Sequence, residues 1–288
     1  MEFQNIIMML QRYWAEHGCA ILTPIDRQVG AGTLHPATFF GLLNARTPSF
    51  AYVQQCRRPD DGMNMDCGDR FQSYFQFQVI VKPAGRHILD LYWQSLASLG
   101  FERHTLDLKF LKDDWKAPGI GAFGKGWEVA MNGIEVSQIT YFESMGSMPC
   151  ESAVEVTYGL ERLAMILNHC DTFSEMAYSA STTYGDWYLM QELEMSRFNY
   201  SDTNFKRLRE DLDKDHADCQ KLLANNYIYP AYELVLTMNH SFNLLSAKGW
   251  LSLSEKRDHI HKLRDLSSLI AIQYTKAIQP PSGLNVLN

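Results

Sequence analysis

The stretch "GWEVAMNGIEVSQITYF" constrains this chain more than any other. Asn132-Gly133 sits between two runs of strand-forming residues, and both positions of a two-residue type I′ turn need positive φ, which Asn and Gly supply. Such a turn commits the flanking runs to antiparallel pairing and excludes a sheet built only of parallel crossovers. Pairing Met131 with Ile134 places Ala130 opposite Glu135 and Glu128 opposite Ser137. Both carboxylates then fall on one face, beside Ser137 and Tyr141. Either they are solvated, or a cation or ammonium group sits between them.

Two further runs read as strands, "FAYVQQC" (50–56) and "FQSYFQFQVIVK" (71–82), joined by "RRPDDGMNMDCGDR", a loop rich in Asp and Gly. The two-residue period sets Phe71, Phe75, Phe77, Val79 and Val81 on one face and Gln72, Tyr74, Gln76 and Gln78 on the other. The first face packs. The second, with three glutamines and a tyrosine, is a solvated surface or the floor of a polar site.

In "VEVTYGLERLAMIL" (154–167) a strand pattern changes to a helix pattern at Gly159. Arg162 falls in the first turn, where the helix dipole favours an anion, so its charge implies a negative group arriving there. "VGAGTLHP" (29–36) has two glycines but lacks the third glycine and the Lys-Ser/Thr pair of a nucleotide fingerprint; it is a phosphate cradle or a tight turn lining another site.

Helical spacing marks Phe3 to Trp14, with Gly18 as its stop, and a second helix near 88–99. From Asp186 onward the pattern is helical, near 188–197, 205–223, 231–245 and 253–277, the last opened by a Ser252/Glu255 capping box. The organisation is α+β to residue 171, then a helical domain over 172–288.

A net charge of −7 excludes broad electrostatic capture of nucleic acid by this chain alone. The six cysteines form no C-x-x-C pair, which argues against a structural zinc site or a disulfide framework and for a reducing, cytoplasmic setting. The N-terminus lacks the features of a secretory signal, and no apolar run is long enough for a membrane span.

The ordered segments "YWAEHGC", "VGAGTLHPATF", "AYVQQCRRPDDG", "YFQFQVIVKP", "GWEVAMNGIEVSQITYF", "EVTYGLERLAM", "TTYGD" and "HSFNLLSAKGWLSLSEKRDHI" together resemble the α subunits of bacterial heterotetrameric glycyl-tRNA synthetases, class II aminoacyl-tRNA synthetases. The resemblance runs over nearly the whole chain. It implies the class II antiparallel sheet flanked by helices, followed by an all-α domain. Pro24 resembles the proline of the dimer-forming motif 1. Arg58-x-Asp60, a loop, then Arg70-x-x-x-Tyr74-x-x-x-Gln78 resembles motif 2, with Gln78 in place of a carboxylate. Gly159-x-x-Arg162 resembles motif 3, with Glu155 and Thr157 where many relatives have glycine.

The resemblance implies ATP-dependent activation of glycine to glycyl-adenylate, and transfer to the 3′ end of tRNA(Gly), in an α2β2 assembly with a β subunit and an α–α homodimer near Pro24. Arg58 would hold the α-phosphate, Arg70 the outer phosphates together with Mg²⁺, and Arg162 and Tyr74 the two faces of adenine. Asp60 and Glu161 complete the ATP set. Glu155 would take the glycine ammonium, in a pocket with Thr33, Gln76, Gln78 and Thr157, and Glu128 and Glu135 are further candidates for Mg²⁺ or ammonium. The motif 2 loop "DGMNMDCGDR" departs from the family's usual "DGRYGxNPNR". That departure keeps two alternatives in view: a paralogue adenylating an amino acid for a non-tRNA acceptor, or a non-catalytic adenylate-binding module.

Overall fold

The computed structural model describes residues 1–62, 70–85 and 87–279. Cys67, the divergent centre of the motif 2 loop and the C-terminal tail lie outside the described residues.

Eight strands form one mixed sheet: β1 (Ala20–Ile21), β2 (Phe50–Arg57), β3 (Ser73–Val81), β4 (Leu108–Ala117), β5 (Ala122–Met131), β6 (Ile134–Met145), β7 (Met148–Pro149) and β8 (Val154–Gly159). Their order is β1-β2-β3-β8-β6-β5-β4, with β7 on β6. Every pairing is antiparallel except β1 with β2. Asn132 and Gly133 both have positive φ, 51° and 81°, as the β5–β6 turn requires.

Alternation gives the sheet two chemically distinct faces. Ala51, Val79, Val156, Ile139 and Trp127 lie opposite one another in a single row. The first four are buried against α1 (Phe3–Glu16), α3 (Ile88–Ser98) and α4 (Leu160–Asn168). The neighbouring row runs Tyr52, Gln78, Thr157, Gln138, Glu128 and points the other way. The sheet therefore carries an apolar face for folding and a polar one for chemistry.

α2 (Pro36–Leu42) and the helices α5 (Tyr184–Arg197), α6 (Phe205–Ala224), α7 (Ile228–Ala247) and α8 (Leu253–Ile278) complete the chain. α6 to α8 share a second core with Phe39, Tyr52, Ile80 and Met145. The capping box of Ser252 with Glu255 opens α8, and an equivalent pair, Thr183 with Asp186, opens α5 four residues earlier than the apolar spacing indicates. α5 also reaches back to the sheet: the Glu192 carboxylate accepts from the Gln72 and Ser73 backbone N–H groups, at 2.5 and 3.2 Å.

Two details differ from the sequence reading. A β-bulge shifts the hairpin register between Val129 and Ala130, so Glu128 faces Gln138, not Ser137. Glu128 and Glu135 still share a face, but Ser137 and Tyr141 move to the opposite one, and Gln138 joins the polar row. Phe71 precedes β3 yet packs as its alternation indicates, in the apolar core with Phe77, Phe173 and Tyr184, and its edge also borders the cleft described below. β4 and α2 were not foreseen, because the Lys-rich alternation of β4 and the short, aromatic α2 offer weak periodicity.

Gly146, at the β6–β7 turn, has φ +60°, and a Cβ there would collide with Ala271 of α8. We expect Gly146→Ala to lose about 2–4 kcal/mol through the left-handed backbone and the overpacked contact. A urea midpoint unchanged from wild type would show that α8 does not press on the sheet there.

Candidate active site

The polar row lies under the segment Gly30 to Thr33, which the sheet pins from below. The Gln76 amide oxygen accepts from the Gly32 N–H at 2.8 Å, and the Tyr52 hydroxyl donates to the Gly32 carbonyl at 2.9 Å. A Cβ on Gly32 would collide with the Gln78 amide, so this glycine allows the close approach. The Gly30 carbonyl accepts from both Arg58 Nε (3.0 Å) and the Tyr74 hydroxyl (2.9 Å). "VGAGTLHP" is thus a tight segment lining a site, held by side chains of β2 and β3.

Beneath it lies a carboxylate that water does not reach. Glu155 is 2 % exposed, and its Oε2 accepts from the Thr33 hydroxyl at 2.8 Å. The Gln78 amide, turned so that its nitrogen faces the acid, donates to Glu155 Oε1 at 3.2 Å and lies 2.6 Å from the Thr157 hydroxyl; its oxygen accepts from the Thr33 N–H at 3.2 Å. Burial raises the Glu155 carboxyl to about 7, against the lowering effect of the Thr33 and Thr157 hydroxyls. Four of the five residues expected to form a small polar pocket, Thr33, Gln78, Glu155 and Thr157, are therefore one hydrogen-bonded cluster. Gln76 stands beside it, on the Gly32 N–H.

An open cleft of about 720 Å³ adjoins this cluster. Arg58, Arg70, Tyr74, Gln76, Glu135, Thr157, Glu161 and Arg162 all line it. The Arg58 guanidinium lies over the Tyr74 ring, 5.0 Å from its centroid, a cation–π contact. Arg70 faces Asp61 at 3.6 Å. Arg162 Nη1 donates to the Glu135 carbonyl (2.8 Å) and carboxylate (3.2 Å), so the anion beside this helix start is, in the free chain, a residue of β6. Gly159 has an ordinary φ of −82°, and a Cβ there would meet only the Val136 carbonyl at 3.4 Å; its contribution is open space at the cleft wall, not a backbone that only glycine adopts.

Glu161 lines the cleft but is 2 % exposed, and its Oε1 accepts from the Phe75 N–H at 2.7 Å and the Tyr184 hydroxyl at 2.8 Å. Burial raises it, too, to about 7. It fixes α4, and with it Arg162, to β3 and α5. Asp60 and Glu128 stand apart from this cleft. Asp60 lines a second one, of about 1140 Å³, which shares Arg58 and Asp61 with the first, includes Thr33 in its wall, and opens toward Asn239 and Asn243 of α7. Glu128 is raised by burial, then by the charges of Glu135 and Asp113. Asp113 itself accepts from the Gln138 amide at 2.6 Å.

Spacing alone could not reveal Gln138, Glu192 or Tyr184. The first is turned into the polar row by the bulge, and the other two come from a helix that sequence assigned to a separate domain. Among the described residues no three His, Cys, Asp or Glu side chains converge as a metal cage, and no helix is long and apolar enough to cross a membrane.

Glu155 and Glu161 have raised pKa values in the folded chain, so their protonated forms favour folding. That stability is complete below the ordinary carboxylate pKa and is lost as pH rises from about 4.5 to about 7. Each carboxylate accounts for up to about 3 kcal/mol. Glu155→Gln should therefore flatten the decline in urea midpoint between pH 5 and pH 8. An undiminished decline would show that Glu155 titrates as it does in the unfolded chain.

Solved structures to which the chain is similar include two of pyrrolysyl-tRNA synthetase from Desulfitobacterium hafniense. One is 11% identical over 64% of this chain and 75% of that one, with a TM-score of 0.46. The other, PylSc, is 12% identical over 63% and 72%, with a TM-score of 0.39. The family model "Glycyl-tRNA synthetase alpha subunit" matches residues 3–279. Arginines converging on a polar antiparallel sheet thus accompany a family match over nearly the full length: the chain belongs to the glycyl-tRNA synthetase alpha subunit family, and is a ligase of the class II aminoacyl-tRNA synthetases.

Proposed function

We propose that this chain activates glycine with ATP to form glycyl-adenylate and passes the glycyl group to the 3′ end of tRNA(Gly), working with a β subunit. The observation that carries the reading is Glu155: a carboxylate held out of water, under two threonines, at the edge of a cleft lined by arginines. Glycine offers a site only an ammonium and a carboxylate, so selectivity needs a tight anionic seat and no room for a side chain. The Thr33–Gln78–Glu155–Thr157 cluster has that character. Thr33 borders one cleft and Thr157 the other, so an amino acid reaching Glu155 displaces their hydrogen bonds, which the ammonium replaces.

Arg58 occupies the position between the clefts. From Tyr74 it can swing to the α-phosphate and stabilise the charge that builds as the glycine carboxylate attacks phosphorus and pyrophosphate departs. Its departure frees the Tyr74 ring for one face of adenine, with Arg162 on the other. Arg70 serves the outer phosphates. Mg²⁺, which neutralises the triphosphate when bound, would draw on Glu128 and Glu135, the carboxylates of β5 and β6 on this face. Catalysis is then positioning and electrostatics, with no protein nucleophile.

The second cleft, which meets the first at Arg58 and is bordered by Thr33, suits the terminal adenosine of the acceptor, whose hydroxyl must reach the glycyl carbonyl. An acidic chain leaves most tRNA affinity to its partner. The division at residue 171 into adenylation and helical domains, a cytoplasmic setting and an α–α contact near Pro24 belong to the same proposal. Pro24 follows the two-residue edge strand β1, whose Ile21 is 37 % exposed.

Glycine-dependent ATP–pyrophosphate exchange, with and without β, tests the reading. Arg58→Ala should reduce exchange by about 100-fold or more at an unchanged fold. Glu155→Gln should raise the KM for glycine by about tenfold or more, with the KM for ATP little changed. Exchange that is absent from the wild type under both conditions, or indifferent to Arg58, would refute it.

A further inference from the structure

A third cavity, of about 1100 Å³, lies behind the motif 2 strand, between β2, the end of α5, and α6 and α7. It shares no lining residue with either cleft of the candidate active site. Its walls are of two kinds. Met195, Phe198, Leu208 and Leu244 provide an apolar side, while Arg57, Asn199, His240 and Ser241 provide donors.

Two of those groups lack a partner among the described residues: Arg57 Nη1 and His240 Nδ1 are both shielded from solvent and make no hydrogen bond there. Among the described residues the Arg57 guanidinium forms no ion pair. Glu192 feels its charge, but both Glu192 oxygens are taken by the Gln72 and Ser73 N–H groups. Asp26 stands exposed at the rim, and Arg27 beside it is paired with Glu233 at 2.6 Å. Burial, reinforced by Arg57, lowers His240 to about 4, so its ring is neutral and one nitrogen remains available as a donor. A shielded guanidinium nitrogen without a partner is costly and is retained where an anion completes it.

We propose that this cavity is a second binding site, for the phosphate monoester of a small apolar group. The phosphate would take the Arg57 fork, with His240 and Ser241 on its remaining oxygens, and the apolar body would cover Phe198 and Leu208. Arg57 immediately precedes Arg58, yet the site is separate from the nucleotide cleft, so ligand and ATP bind together.

Phenyl phosphate is a suitable probe, with inorganic phosphate as the head group alone, both followed by isothermal titration of the full chain with ATP present and absent. Phenyl phosphate should bind at least about tenfold more tightly than inorganic phosphate, and Arg57→Gln should weaken it by about tenfold or more. Because the Arg57 guanidinium makes no hydrogen bond or ion pair among the described residues and reaches Glu192 only through its charge, Arg57→Gln should leave the urea midpoint close to that of wild type. Thr237→Trp, which narrows the cavity without touching the guanidinium, should also block binding. Absence of binding to the wild type, binding indifferent to both substitutions, or displacement by ATP would each overturn the proposal.

Discussion

Everything in this site is arranged around one buried carboxylate. Glu155 lies at the centre of the sheet, 2 % exposed, on the strand that joins β3 to the hairpin. A charge there is unfavourable unless it is partnered, and the neighbouring residues answer that constraint in turn. Thr33 and Gln78 bond the acid, Gln78 requires glycine at position 32, and Gln76 and Tyr52 hold the Gly32 backbone in place. The loop that results presents the Gly30 carbonyl to Arg58 and Tyr74. A single acid thus sets the position of Arg58, the arginine to which the proposed function assigns the α-phosphate.

A second buried acid works in parallel. Glu161 ties α4 to the Phe75 backbone and to Tyr184 of α5, and Glu192 of α5 ties back to Gln72 and Ser73. Together they fix the start of β3 against α4 and α5. Arg162 and Arg58 therefore face the same cleft from different elements with little freedom in their backbones. Rigid elements that hold the charged groups before the substrate arrives are what an electrostatic mechanism requires.

Local chemistry made much of this legible. Asn132-Gly133 announces its turn, the Gln/Tyr alternation of β3 announces a polar face, and the change of period at Gly159 announces a strand passing into a helix. The resemblance then assigned Arg58, Arg70 and Arg162, and the fold brings all three to one cleft. What stayed hidden depends on contacts distant in sequence. The bulge beside Val129 moves Gln138 into the polar row, and no residue type at that point signals it. Burial of Glu161 and Glu192 arises only when α5 packs on the sheet, and a carboxylate on a helix reads as solvated until its neighbours are known. The orphaned Arg57 was equally invisible, because its sequence neighbour Arg58 accounts for the motif.

The central claim is that Glu155 receives the glycine ammonium. A carboxyl raised to about 7 by burial is partly protonated near neutrality, and an arriving cation must expel that proton. Glycine binding measured by calorimetry near pH 6.5, in buffers of different ionisation enthalpy, reads this directly. The account predicts release of a substantial fraction of one proton, absent in Glu155→Gln. An apparent enthalpy independent of buffer in the wild type would contradict it.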